Sequence, residues 1–272
     1  MKKILALILC CIIFGSIQIN AQCKIANKYF DSGETLEMDL YIKYGLLNTK
    51  GGTSTLKLEN ANYNGLNAYK ASLIANSSGL ARKVFALDDT LSSFMTKAIV
   101  PLEFVKRAHE GKEHTQENIK YTYSNGNVNL HAKRIKNGTL RFDEDLTSTK
   151  CVYDMISVVY YARTLDYSKM KKGDEKGIEF ISGKKKAYMV IEHAGIEKLK
   201  ANDEKKYECI KLILSITDGN ESAFSNKEEA MTVYITNDNN RMPVRLDSKL
   251  KIGSTRAILK SYSGNRYPIT TY

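Results

Sequence analysis

The chain has 272 residues, of which 43% are hydrophobic and 26% are charged. This composition is ordinary for a globular protein and excludes fibrous, collagen-like and wholly disordered chains. The formal net charge of +11 at pH 7 favours anionic partners, although an excess of lysine also serves simply to keep a protein surface soluble.

The N-terminal segment has the pattern of a secretory signal peptide. Lys2 and Lys3 form a positively charged start, and an apolar run follows from Ile4 to Ile17. Ala21 then supplies the small residue that precedes a cleavage site. We therefore expect residues 1–21 to be removed on export.

Two other interpretations of this segment are weaker. The apolar run is shorter than the ~20 residues that a helix needs to span a bilayer, which argues against a permanent anchor. Lipoprotein processing at Cys23 needs a small residue before the cysteine, and Gln22 stands there. The expected product is an exported protein, periplasmic or extracellular, with one β-rich domain over residues 22–272 and no transmembrane segment.

Most of that domain alternates between apolar and polar residues, in runs that include residues 36–42, 210–216, 231–235 and 244–252. Such alternation predicts strands with one buried and one solvated face, and hence an antiparallel sheet. Turn sequences such as Asn64-Gly65 separate the runs. The spacing predicts about ten to twelve strands in a mainly β fold, a large meandering sheet, barrel or sandwich.

One segment breaks this alternation. From Ser148 to Arg163 the apolar residues recur at helical spacing, which predicts an amphipathic helix over about 150–164 packed on the sheet. A Ser or Thr at 147–149 is expected to cap this helix. Asp154 then lies near its positive end and Arg163 at its negative end.

The region from residue 80 to residue 114 holds three lesser candidates. A short helical turn is predicted over Leu80–Phe85. The run Asp89-Thr90-Leu91 resembles the acceptor sequence for O-glycosylation in exported Bacteroidota proteins, with Thr90 as the modified residue. His109 and His114 flank an expected hairpin tip, so we expect them to face solvent rather than to bind a metal.

Two lysine clusters flank a predicted strand over 178–181. Their members include Lys171, Lys172, Lys184, Lys185 and Lys186. They could bind an anionic envelope polymer or lipid headgroups, or they could guard the ends of strands against edge-to-edge aggregation. Nucleic-acid binding is disfavoured because no recognition helix or stacking platform accompanies the charge.

Three cysteines, Cys23, Cys151 and Cys209, remain after the predicted cleavage. An exported protein can form a disulfide, and three pairings are open, each leaving one thiol over. No Cys-x-x-Cys motif is present, so neither a thioredoxin-like redox site nor a zinc ribbon is indicated.

Four local patterns together resemble one family: Ser32 to Leu36, Tyr153 to Arg163, Lys206 to Lys211 and Ile235 to Ser254. The chain resembles the domain-of-unknown-function 3108 family in its Bacteroidota-type version, over nearly all of the domain. The resemblance implies an exported bacterial envelope protein with a β-rich fold wrapped around a helix, similar to lipocalin-like barrels and the half-barrels of lipoprotein carriers. No catalytic residues are established for this family, so the resemblance supplies none.

No signature of catalysis is present, because the chain lacks a Gly-x-Ser-x-Gly motif and a phosphate-binding glycine loop. Asp154 and Arg163 are nine residues apart on the predicted helix, too far to pair. They are expected to satisfy the helix ends or to line a polar pocket.

The leading hypothesis is a protein without enzymatic activity, cofactor or metal that binds an apolar or amphipathic envelope ligand in a barrel-like cavity. A structural or protein-interaction module with a filled core is the alternative. A hydrolase or isomerase is the least favoured.

Overall fold

The computed structural model describes residues 23–44, 47–217, 228–249 and 254–272. The predicted signal peptide, residues 1–21, lies outside them. Within the described residues fifteen strands form a single sheet that curls into a nearly closed barrel, and all neighbouring strands but one pair are antiparallel. The prediction of a mainly β, barrel-like fold is confirmed.

The strands follow one another along the chain as a meander. Their bounds are β1 (Thr35–Tyr44), β2 (Leu47–Tyr63), β3 (Leu66–Ser77), β4 (Leu87–Thr96), β5 (Pro101–Glu110), β6 (Glu113–Ser124), β7 (Asn127–Lys136), β8 (Thr139–Ser148), β9 (Val152–Tyr153), β10 (Glu175–Ser182), β11 (Lys185–Lys200), β12 (Lys206–Thr217), β13 (Glu228–Thr236), β14 (Pro243–Lys249) and β15 (Ser254–Ser263). The helices are α1 (Gly79–Val84) and α2 (Ser157–Thr164). The short helical turn predicted near residue 80 is therefore confirmed as α1.

The sheet has two edges, β8 and β9, because β1 pairs with β15 in its middle. No backbone ladder is described between β8 and β9, and side-chain bonds instead join β8 to β10 and β11 beside the two-residue strand β9. We call this junction the seam. Lys186 Nζ donates to the carbonyl of Thr147 at 2.7 Å, and Ser148 Oγ donates to Glu179 at 2.5 Å. Within the described residues, the seam is thus the place where the backbone ladder round the barrel is interrupted.

The predicted helix over 150–164 is shorter than expected. It begins at Ser157, and Val152–Tyr153 instead form β9, which pairs in parallel with Glu179 and Phe180 of β10. Valine and tyrosine fit a pleated surface well, and this distant pairing overrides the local helical spacing. The cap predicted at 147–149 is correspondingly wrong. No helix in the described part of the chain is long and apolar enough to cross a membrane.

Helix α2 contributes to both hydrophobic cores of the barrel. Its residue Tyr160, with Ile156 just before the helix, belongs to a large core that takes side chains from strands all round the sheet. Val158, Tyr161 and Ala162 belong to a second core formed mainly with β10 to β13. The helix therefore packs against the inner face of the sheet and supplies side chains to both cores.

A disulfide joins Cys23 to Cys151, whose Cα atoms are 5.5 Å apart. It ties the segment before β1 to the residue next to β9, at the seam. Cys209, in β12, is a buried free thiol, and its burial raises the pKa of that thiol to about 12.

Candidate functional site

A pocket of about 330 Å³ opens beside the seam, between α2, β9 and the β10–β11 hairpin. Aromatic and aliphatic side chains form most of its wall, and a few polar groups lie among them. The lining residues are Ile25, Lys150, Cys151, Tyr153, Tyr161, Gly177, Ile178, Glu179 and Tyr188.

Three tyrosines dominate the wall. The rings of Tyr153 and Tyr161 lie 4.6 Å apart between centroids and are tilted by 45°. Burial raises the pKa of Tyr161 to about 12 and that of Tyr153 well above its ordinary value. The hydroxyl groups of these two tyrosines are therefore neutral at physiological pH, and the wall offers ring faces together with uncharged hydrogen-bonding groups.

Gly177 makes room for the third tyrosine. A Cβ atom at this position would lie 1.8 Å from the hydroxyl oxygen of Tyr188, so any larger residue would displace that ring. A glycine inside a strand often marks such a close approach. This was the signal in the sequence that could have indicated the pocket, although it does not identify Tyr188 as the neighbour.

The polar side of the pocket lies at the seam. Glu179 accepts a hydrogen bond from Ser148 and lies 3.9 Å from Lys186 Nζ. Lys150 lines the same side. The pocket thus combines an aromatic wall with a rim that carries both signs of charge.

The disulfide helps to build the pocket. Cys151 lines it directly, and Ile25 lies two residues after Cys23. The Ile25 N–H also donates to the carbonyl of Ala98 at 2.9 Å. The N-terminal segment is thereby fixed as one wall.

Asp154 does not line this pocket. Its carboxylate accepts the backbone N–H groups of Ile156 and Ser157, each at 2.9 Å, and the hydroxyl of Ser93 at 2.9 Å. Burial raises the pKa of Asp154. The residue caps the start of α2 and fastens it to β4.

Arg163 lies at the other end of α2 and forms a completely buried ion pair. Its guanidinium donates two hydrogen bonds to Glu34, at 2.6 and 2.7 Å, and one to the carbonyl of Asn240 at 2.9 Å. The group also lies 4.6 Å from the ring centre of Phe30. Arg163 thus joins α2 to the start of β1 and to the β13–β14 turn.

The structure therefore gives Asp154 and Arg163 separate partners and brings neither to the pocket. Glu34 was not singled out as a partner from the sequence, although it belongs to the first pattern behind the family resemblance.

Thr90 and the two histidines lie on the surface. Thr90 is exposed on β4, while its neighbour Asp89 is buried and accepts the N–H of His109 at 3.1 Å. His109 and His114 face each other across the β5–β6 hairpin, with ring centroids 4.2 Å apart. Among the described residues no group of three or more His, Cys, Asp or Glu side chains could hold a metal ion.

The two lysine clusters lie at opposite ends of β10. Lys171 and Lys172 precede the strand, whereas Lys184 to Lys186 follow it in the β10–β11 hairpin. Lys184 pairs with Glu144 of β8 at 3.1 Å, and Lys186 donates across the seam. The second cluster therefore helps to close the barrel, and the two clusters do not form a continuous patch.

Comparison with known proteins identifies the family. The family model described as "Protein of unknown function (DUF3108)" matches residues 39–260. The chain belongs to this family. A solved structure with the same fold is a β-barrel-like protein of domain of unknown function DUF1849 from Brucella abortus, which has a TM-score of 0.58 and 8% sequence identity. The match covers 91% of this chain and 100% of the Brucella chain, and at that identity it establishes the fold alone. No curated protein matches the chain.

The buried ion pair generates a first prediction. Replacing Arg163 by methionine leaves the Glu34 carboxylate buried without its partner, so we expect the free energy of unfolding to fall by about 3–5 kcal/mol. The double variant Glu34→Leu/Arg163→Met leaves no unpaired charge. Its free energy of unfolding should fall by much less than the sum of the decreases in the two single variants. Urea unfolding followed by circular dichroism measures each value.

Arg256→Met is the matched control, because Arg256 pairs with Asp247 on the surface. The free energy of unfolding of this control variant should fall by less than about 1 kcal/mol. Equal decreases in the free energy of unfolding for Arg163→Met and Arg256→Met would show that the buried pair does not anchor α2.

Asp89 generates a second prediction. Burial, and then the nearby charge of Glu110, raise the pKa of Asp89 from 3.8 to about 6 in the folded protein. At a pH between these two pKa values, Asp89 holds a proton more often in the folded protein than in the unfolded chain. The contribution of Asp89 to the free energy of unfolding therefore falls as the pH rises from about 4 to about 6. Asp89→Asn keeps the acceptor for His109 and should stabilise the protein by about 1–2 kcal/mol at pH 7.

Thermal unfolding at pH 5 and pH 7 tests this expectation. Asp88→Asn is the control, since Arg82 and Asn76 hold the pKa of Asp88 down at about 2 and the folded protein favours its charged form. That variant should not gain stability at pH 7. If Asp89→Asn were less stable than the wild type at pH 7, the burial of a charged Asp89 carboxylate beside Glu110 would not be destabilising as we expect.

Proposed function

We propose that this protein is a non-enzymatic binding protein of the bacterial envelope that holds a small amphipathic ligand in the pocket at the seam. The observation that carries the proposal is the pocket itself, in which three tyrosines and Ile178 face a polar rim. The pocket lining contains no histidine, and its one cysteine is in a disulfide, which favours binding over nucleophilic catalysis.

The size of the pocket limits the ligand. Ligand sites commonly have volumes of about 300–1,000 Å³, and this pocket of about 330 Å³ is at the lower end. Helix α2 is largely buried and packs into both hydrophobic cores, so the proposed site is the pocket at the seam and not a lipocalin-like central cavity. The proposed ligand is therefore a small amphiphile, or one ring or end of a larger molecule.

The side chains of the pocket wall and rim restrict the chemical type of the ligand further. Ring faces at Tyr153 and Tyr161 favour a flat or branched apolar body. Glu179 and Lys150 at the rim favour a polar headgroup that can accept and donate hydrogen bonds. An envelope lipid fragment or an aromatic metabolite has this combination.

An envelope location is part of the same proposal. The N-terminal segment has the pattern of a signal peptide, and a disulfide persists in oxidising compartments such as the periplasm. Both features support export.

A structural or interaction module of the envelope is the second candidate. The packing of α2 favours it, because this helix contributes buried side chains to both hydrophobic cores. In that case the pocket at the seam would have no natural occupant.

Native mass spectrometry of protein purified from a bacterial periplasm separates the two candidates. We expect one bound small molecule for each chain, lost on denaturation and recovered by organic extraction. The same spectrum gives the mass of the N-terminus and the state of the cysteines.

Two tryptophan variants assign the adduct to the pocket. Ile25→Trp fills the pocket from the N-terminal segment and should abolish the adduct, whereas Ile196→Trp adds the same ring on the exposed face of β11 and should retain it. A wild-type protein that stays free of ligand in envelope extract would contradict binding and favour the structural module.

A further inference from the structure

The β3–β4 connection presents three large apolar side chains to solvent. Leu80 is 77% exposed, Val84 86% and Phe85 51%. We call these three residues the apolar tip. Helix α1, which carries the first two, buries none of its residues. Clustered apolar exposure of this kind marks an interaction site more often than scattered exposure does.

The apolar tip is held in place by polar contacts. Both terminal nitrogens of Arg82 donate to the carboxylate of Asp88, at 2.8 and 2.7 Å. The Ser78 N–H donates to the carbonyl of Gly51 at 2.8 Å, and the Leu87 N–H donates to Ser77 Oγ at 2.8 Å. The connection is therefore fixed although its apolar side chains are exposed.

Two lysines lie beside the apolar tip. Three acidic side chains near it are paired within the described residues, Asp88 with Arg82, Glu110 with Lys106, and Glu113 with Lys136. Lys83 lies on α1 itself, and Lys112 lies next to Gly111, which faces the ring of Phe85. Neither lysine forms an ion pair among the residues that the structure describes.

The meander places this surface away from α2. Successive antiparallel strands bring the β3–β4 and β5–β6 connections to one end of the barrel. Glu34, which holds Arg163, precedes β1 and lies at the other end. The apolar tip is thus a projecting end of the molecule, separate from the ion pair.

We propose that the apolar tip inserts into the surface of a membrane that contains anionic lipids. Leu80, Val84 and Phe85 enter the boundary between headgroups and acyl chains, and Lys83 and Lys112 contact anionic headgroups. A protein partner fits less well, because a stable protein interface takes about 20–30 residues from each side and this surface offers three apolar side chains.

Vesicle co-sedimentation tests the proposal with two lipid compositions, phosphatidylglycerol mixed with phosphatidylethanolamine, and phosphatidylcholine alone. We expect binding to the anionic vesicles that weakens with salt. Leu80→Ser/Val84→Ser/Phe85→Ser should reduce that binding by on the order of ten-fold or more. Lys83→Gln/Lys112→Gln should reduce the preference for anionic lipid.

Met155→Ser/Ile196→Ser is the matched control, since both residues are exposed apolar side chains far from the tip in sequence. It should bind as the wild type does. Circular dichroism confirms that each variant is folded.

A tryptophan reporter locates the contact. The chain contains no tryptophan, so Phe85→Trp introduces a single fluorophore at the tip. Its emission should shift to shorter wavelength on addition of anionic vesicles, while Ile196→Trp should not respond. Absence of vesicle binding, binding that the triple serine variant leaves unchanged, or an equal shift from both reporters would overturn the proposal. Tip-dependent binding of a protein without vesicle binding would also overturn it.

Discussion

The buried pair of Arg163 and Glu34 is the interaction on which the rest of the structure depends. Two charges removed from water destabilise a fold unless they meet with good geometry and further hydrogen bonds, and here both carboxylate oxygens and a backbone carbonyl are used. The pair fixes one end of α2 against the start of β1, and Asp154 fixes the other end against β4. A helix held at both ends supplies side chains to both hydrophobic cores, and we infer that it takes the place of a central cavity of the lipocalin type.

The remaining space lies where the sheet fails to close through its backbone. At the seam, side-chain bonds join β8 to β10 and β11, and the disulfide brings the N-terminal segment alongside. A junction built from side chains leaves gaps that a continuous hydrogen-bonded ladder does not. The pocket lined by Tyr153, Tyr161 and Tyr188 occupies such a gap.

Local patterns in the sequence predicted the sheet well. Alternation over residues 36–42 and 210–216 reports which side of a strand is buried, and this depends only on near neighbours along the chain. The same reasoning failed at Val152–Tyr153, because the parallel pairing with β10 joins segments that are distant in sequence. The expected ten to twelve strands are fewer than the fifteen described, and the two-residue strand β9 is too short to show any alternation.

The site was harder to predict for the same reason. Glu34 and Arg163 are 129 residues apart, and no local pattern links them. Gly177 stands out within a strand, yet only the fold identifies Tyr188 as the ring that needs the space. The cysteine count allowed three pairings, and the choice between them depends on where the seam brings Cys151.

Native-state hydrogen exchange on α2 most directly tests whether the helix is a fixed part of the barrel. If the ion pair and Asp154 anchor it, the amides of Tyr160 and Tyr161 should exchange only through global unfolding, with the same free energy as the amides of β1. Exchange of α2 at a clearly lower free energy than β1 would show that the helix opens by itself. The barrel could then admit a larger ligand at its centre, contrary to what we infer.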